Sequence, residues 1–158
     1  MRLLVQRALR GEVEIDEPDG TTRLAGRIDK GLVVFAGFGA QDGEELPRTR
    51  LWTAMIDKLL GLRIFPDEEG RFNRSLDDAH GGVLLVSQFT LYADTSSRRP
   101  GFTGAAKPDL AIPLYQRFLA RCRERGFEVR HGEFGADMQV ASVNDGPVTI
   151  LFDTDGKL

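Results

Sequence analysis

Ser87, Gln88 and Thr90, with Phe89 between them, are the residues of this chain whose types and spacing best suit chemistry. Two hydroxyls and a carboxamide within four positions offer hydrogen bonds to a polar substrate, and the main chain between them supplies N–H donors for a developing oxyanion. They follow directly on Gly82 and the apolar run Val83-Leu84-Leu85-Val86, which reads as a buried strand. A strand that ends in hydroxyls and an amide presents polar groups at the edge of a core. Taken alone, the pattern serves equally well to satisfy Ser87 and Thr90 where the strand emerges. A second stretch, Val143-Asn144-Asp145-Gly146-Pro147-Val148-Thr149, places a proline between two strand patterns. That implies a sharp bend, and X-Pro is the one bond where the cis form costs little. A rigid Gly-cis-Pro can aim carbonyl oxygens outward; a plain turn proline is the alternative.

Other chemistries find weaker support. His80 and His131 stand apart from each other and from Cys122, so no zinc-type ligand spacing exists. No Gly-x-Ser-x-Gly elbow is present, and Ser87 and Thr90 have only those two histidines as partners for a triad. Cys122 falls in a helical pattern, where packing is the expected role. Gly37-Phe38-Gly39 does not open a dinucleotide loop: the third glycine, Gly43, comes one residue late and an acidic loop follows. Its glycines are expected to relieve crowding. What remains is a site of hydroxyls, an amide and main-chain groups, with no strong side-chain base, no metal and no cofactor. Such a site can still cleave an activated ester by positioning it.

The elements that must carry these residues can be read from periodicity. Residues 2–9 and 12–16 read as strands, and Pro18-Asp19-Gly20 as a turn that makes 12–28 a hairpin. Residues 31–38 form an apolar, central strand. Apolar residues at helical spacing predict a helix from about Pro47 to Leu60, with Pro47 in its first turn. A short strand at 63–65 and an irregular stretch at 71–81 precede the Val83 strand. Residues 95–108 have loop composition and hold Arg98, Arg99 and Lys107, either as a solvated loop or as a grip on phosphate. A second helix runs to about Arg125, with Pro113 in its first turn and Gly126 as its C-cap. Strands at 127–130, 138–143 and 148–152 complete the chain. Roughly eight strands and two helices, many joined by short turns, predict an α+β fold with a largely antiparallel sheet.

Composition sets outer bounds. A chain of 158 residues, 41% apolar and 28% charged, is expected to be one globular domain over 1–158. No stretch approaches the ~20 apolar residues a membrane helix needs, and the first residues lack a signal-peptide core. A single cysteine fits a reducing, cytoplasmic setting. The net charge of −3 argues against a general nucleic-acid binder, yet permits an enzyme that grips only the end of an RNA.

The Ser-Gln-Phe-Thr stretch and Gly146-Pro147 together resemble the signatures of the D-aminoacyl-tRNA deacylases. The likeness extends to Gln6-Arg7, Leu62-Arg63-Ile64-Phe65, Arg99-Pro100 and Phe134-Gly135-Ala136-Asp137-Met138, in the family's order over most of the chain. It implies a curved, barrel-like sheet and a homodimer that hydrolyses the ester of D-aminoacyl-tRNA, or of mischarged glycyl-tRNA. By that resemblance Ser87, Gln88, Phe89 and Thr90 line the pocket for the tRNA 3′ end, with Phe89 and Thr90 at the chemistry. Gly146 and Pro147 form a filter against L-aminoacyl groups, and Arg7 braces it across the dimer. The resemblance also implies catalysis by positioning, assisted by the hydroxyl of the tRNA's own terminal ribose. Four departures concern RNA contacts: the 95–102 loop looks one residue short, it lacks the common lysines, Gly101 replaces a usual serine, and Arg71-Phe72-Asn73 replaces a typical Lys-Met-Asn. A non-catalytic module that binds RNA ends or nucleotides on the same fold is the rival reading.

Overall fold

The computed structural model describes residues 1–154. Its longest strands come from opposite ends of the chain, β1 (Arg2–Asp16) and β8 (Met138–Asp153). Between them come β2 (Thr22–Ile28), β3 (Gly31–Gly37), α1 (Arg50–Leu60), β4 (Phe65–Pro66), β5 (Phe72–Arg74), β6 (Gly82–Ser87), α2 (Pro108–Glu124) and β7 (Val129–His131). β2 pairs with Gly11–Asp16 and β3 with Arg2–Ala8, so the two take successive halves of one edge of β1. β8 runs antiparallel along the other edge. β6 adds to β3 and β7 to β6, both in parallel.

The sheet curls until its far edges almost meet. A Cβ on Gly26 of β2 would lie 3.0 Å from the main chain of His131 in β7, so only glycine lets the two strands come this close. The result is the curved, barrel-like sheet of an α+β fold expected from the sequence, mostly antiparallel with a parallel section at β3-β6-β7.

β3 and β6 read as unbroken apolar runs because they are buried on both faces. Leu32, Val34, Val83 and Leu85 meet the helices, together with Trp52 and Met55 of α1 and Leu114 and Phe118 of α2. Val33, Leu84 and Val86 turn the other way, into the barrel with Val13 and Ile28. Trp52 meets Phe118 edge-on at 5.4 Å between ring centroids, which locks the helices side by side.

Several boundaries differ from expectation. Residues 2–9 and 12–16 are one bent strand, and so are 138–143 and 148–152; each pair of runs is joined through bulges. Pro47 lies in a separate 3-10 turn, Leu46–Arg48, and α1 instead starts at Arg50, capped by Thr49, whose hydroxyl accepts from the Trp52 N–H at 3.2 Å. The short strand after α1 begins at Phe65, and Phe72–Arg74 pairs with it as β5, inside a stretch read as irregular. α2 starts at Pro108, which leaves Pro113 inside the helix. The carbonyl its missing N–H strands belongs to Asp109, an exposed residue within reach of solvent.

Candidate active site

Ser87 ends β6, paired with Ala36 of β3. The Gln88 N–H still follows the sheet, donating to the Ala36 carbonyl at 2.8 Å. The chain then winds into one 3-10 turn, Phe89–Tyr92, closed by the Ala93 N–H on the Thr90 carbonyl at 3.0 Å. Such a turn leaves its first donors unused. Accordingly, no hydrogen bond of the described residues is donated by the main-chain N–H of Phe89 or Thr90.

The turn lies flat on the end of β3 because glycines make room for it. A Cβ on Gly37 would sit 2.7 Å from the Gln88 carbonyl oxygen, and one on Gly39 would sit 2.7 Å from the Tyr92 ring. Relief of crowding is the role the sequence assigned to Gly37-Phe38-Gly39. Arg2 holds the turn from the other side. Its guanidinium donates to the Leu91 carbonyl at 2.9 Å, pairs with Asp153 of β8 at 2.9 Å and lies 4.5 Å over the Tyr92 ring. Both terminal strands therefore fix the turn that carries Phe89 and Thr90.

Within the turn the Gln88 amide donates to the Thr90 hydroxyl. Phe89 is 54% exposed and meets Phe102 edge-on at 5.2 Å. Ser87, Gln88 and Phe89 line a cleft of about 280 Å³ whose opposite wall is Gly135, Ala136, Asp137 and Met138. A smaller recess of about 60 Å³ continues between Phe38, Ala106, Ala111 and Phe134. Thr90 is exposed and lies outside both linings. Asp137 is the one carboxylate of the cleft wall; the sequence flagged it only as part of Phe134–Met138, since nothing local in that stretch says which strand end it will face.

Gly146 and Pro147 are built differently. Gln6 of β1 pairs with Thr149 and Ala8 with Asn144, so Arg7 alone faces four residues of β8, Asp145 to Val148. The surplus is pushed out of the sheet as a narrow excursion, with a cis Gly146-Pro147 bond and exposed Gly146 and Pro147 at its tip. Asn144 closes the base with its side chain: Oδ1 accepts from the Val148 N–H at 3.0 Å and Nδ2 donates to the Thr149 hydroxyl at 2.8 Å. Arg7, only 6% exposed, props the excursion from beneath. It ion-pairs with Asp145 at 2.9 Å, donates to the Asp145 and Ile64 carbonyls and lies 5.1 Å from the centre of the Phe72 ring.

The structure thus gathers Ser87, Gln88, Phe89 and Thr90 at one place and Arg7, Gly146 and Pro147 at another. Arg7 shares its row with Leu32 and Val83, whereas Ser87 shares its row with Ala36 and Leu3. Four residues of strand separate those rows, about 13 Å. Neither lining around Ser87–Phe89 includes the excursion.

Elsewhere the titratable groups offer little. His131 bonds the Gly132 carbonyl at 2.7 Å, and neither histidine lines the cleft. Among the described residues no three His, Cys, Asp or Glu side chains converge. Cys122 is fully buried, and burial pushes its thiol up to about 12. Beside the cleft, the Ser96 main-chain N–H holds the Asp94 carboxyl below the usual range.

Residues 4–153 match the family described as D-Tyr-tRNA(Tyr) deacylase. A D-aminoacyl-tRNA deacylase of Nitratidesulfovibrio vulgaris is 52% identical, covering 97% of this chain and 93% of its own. One from Herpetosiphon aurantiacus is 47% identical, covering 98% and 95%. Among solved structures, the c-Myc DNA Unwinding Element Binding Protein superposes with a TM-score of 0.83 at 34% identity, over 98% of this chain and 99% of its own. A structure titled as a probable eukaryotic D-amino acid tRNA deacylase has the same fold, with a TM-score of 0.77 at 21% identity over 96% and 97%.

Proposed function

This chain belongs to the D-Tyr-tRNA(Tyr) deacylase family, and from that premise we propose that it hydrolyses the ester joining a D-amino acid, or mischarged glycine, to the terminal ribose of tRNA. The observation that carries the mechanism is the pair of unused N–H donors at Phe89 and Thr90, on a turn fixed by both terminal strands. Donors held in place before the reaction can stabilise a developing oxyanion at no cost of reorganisation. Ser87 and Gln88 orient the terminal nucleoside, and the neighbouring ribose hydroxyl assists the leaving oxygen. No side chain need act as nucleophile.

Selectivity comes from rejection. Gly146-Pro147 projects from its own chain about 13 Å along the strands from its own cleft, so it serves the cleft of a second copy. Leu9, Val143 and Leu151, on the strands that flank it, are each more than a third exposed, an apolar surface suited to such a homodimer. Arg7, holding Asp145 from below, keeps the tip in place for the partner. An L side chain then meets the tip, while a D side chain points away and glycine passes.

The test is loss of ester from D-tyrosyl-, L-tyrosyl- and glycyl-tRNA; the D and glycyl esters should be cleaved and the L ester spared. The similarity to a protein named for DNA binding favours a second reading, a nucleic-acid-end binder without catalysis. Binding of tRNA with no ester loss would establish that reading instead. Mixing Ala136→Trp subunits, whose cleft is filled, with Gly146→Val subunits should restore one sound site per heterodimer. Failure despite proven subunit exchange would refute the shared site.

A further inference from the structure

The loop that follows the 3-10 turn has a job of its own. An Asp94–Gly101 bridge, bonded both ways at 2.8 and 2.9 Å, closes it into a tight arch with Arg98 and Arg99 at the tip. Its far limb is sewn to the end of β3, Ala40 N–H to the Gly104 carbonyl at 2.8 Å and Ala106 N–H to the Phe38 carbonyl at 2.9 Å. Phe102, next to the bridge, packs on Phe89. Arg99 is three positions from Phe102, so the tip stands within about 11 Å of Phe102, which packs on the cleft's rim.

Charge on the arch runs against that of the whole chain. Residues 94–107 carry three cations, Arg98, Arg99 and Lys107, against the single carboxylate of Asp94. That carboxylate is occupied by the Ser96 N–H at 2.9 Å. Among the described residues none of the three cations has a carboxylate within ion-pair reach, whereas several arginines elsewhere do: Arg23 holds Glu17 and Glu133, and Arg121 holds Glu124. Cations left unpaired in an acidic protein, on a loop tied down by five main-chain and ring contacts, form a fixed local positive site.

We propose that the arch tip, Arg98 and Arg99 with Lys107 behind them, binds the phosphates that precede the terminal nucleoside of the tRNA acceptor end. This rests on the deacylase reading and deepens it. When the terminal ribose sits in the Ser87–Phe89 cleft, the strand must leave through its 5′-phosphate at the rim where the arch stands. Two guanidiniums carried on that anchored loop can each grip a phosphate in a forked geometry. Affinity for RNA is thus concentrated at one end of the molecule.

The test compares wild type with Arg98→Gln/Arg99→Gln on D-tyrosyl-tRNA and on 3′-D-tyrosyl-adenosine, which has no phosphate. An Arg50→Gln/Lys58→Gln variant, on the exposed face of α1, controls for net charge. Each lost contact to a single strand should cost about 5-fold at 0.1 M salt, so kcat/KM on tRNA should fall about 25-fold through KM, and the log–log salt slope should flatten by about 1.4. Turnover of the adenosine ester should stay unchanged, as should the control on both substrates. An unchanged KM and salt slope would overturn the proposal; so would equal losses on both substrates, or the same loss in the control. Binding of uncharged tRNA, read by anisotropy in parallel, reports on the arch independently of ester cleavage. A wild type that binds but cleaves neither ester therefore refutes the catalytic reading alone.

Discussion

Gly37→Ala should silence the enzyme while leaving it folded. The added methyl would lie 2.7 Å from the Gln88 carbonyl oxygen and 3.2 Å from the Leu91 Cβ, where ordinary contact begins at 3.4 Å. The Gln88 oxygen must therefore retreat by about 0.7 Å. It belongs to the main chain, and the adjoining N–H is tied to the Ala36 carbonyl, so no flexible side chain can absorb the shift. Overpacking of this kind costs about 1–3 kcal/mol. The φ of Gly37 is not in the left-handed region, so the backbone itself tolerates alanine. A displacement approaching 1 Å at the Phe89 and Thr90 donors should lower kcat by about 10²-fold, since catalytic geometry degrades on that scale. Gly43→Ala is the matched control, with its nearest neighbour 3.9 Å from the new methyl. The assay is single-turnover hydrolysis of D-tyrosyl-tRNA beside a thermal melt. Activity of folded Gly37→Ala within twofold of wild type would refute the idea that the turn's position governs catalysis.

Thr90→Ala should retain turnover within about tenfold, because its main-chain N–H survives and the hydroxyl is placed to orient; an acyl adduct trapped on Thr90, or total loss with binding intact, would contradict this. Arg7→Met removes the prop beneath Asp145 and strands the Ile64 carbonyl. Breaking so buried a pair costs about 3–5 kcal/mol at most; since Asp145 reaches solvent, a loss nearer 3 kcal/mol is expected in urea melts. Cys122 should resist thiol reagents until the protein unfolds. Its thiol is raised from 9.0 to about 12 when folded, so its contribution to stability is complete below pH 9 and declines as pH rises toward 12, by up to about 1.4 kcal/mol per unit. Urea melts from pH 7 to 10.5 should show that decline in wild type and less of it in Cys122→Ala.

What could be read from the sequence was set by how locally each signal is encoded. β3 and β6 were visible because strands buried on both faces leave unbroken apolar runs, and the polar break at Ser87 marked where β6 emerges. The continuity of β1 and β8 was not. The breaks at Arg10-Gly11 and Asp145-Gly146-Pro147 look like turn punctuation, and only pairing between strands from opposite ends of the chain shows both running on, with register shifts at Arg7 and Leu9. Pro113 misled in the same way, because an exposed face of α2 forgives a lost hydrogen bond. Asp137, the seat of Arg7 and the separation of the two motifs depend on strand register, which no local pattern encodes.

The pairing of β1 with β8 also sets a timetable for synthesis. One edge of β1 can be covered early, by β2 and β3, as soon as the first 37 residues form their meander. Its other edge waits for residues 138–153. At 5–20 residues per second a ribosome needs about 6–23 s to go from residue 37 to residue 153. For that time a 15-residue strand offers its unpaired N–H and C=O groups to any neighbouring chain. Closure of a contact so distant in sequence is also intrinsically slow. The nascent barrel is therefore most prone to aggregate just before its last strand arrives, and a ribosome stalled between β7 and β8 would hold it in that state.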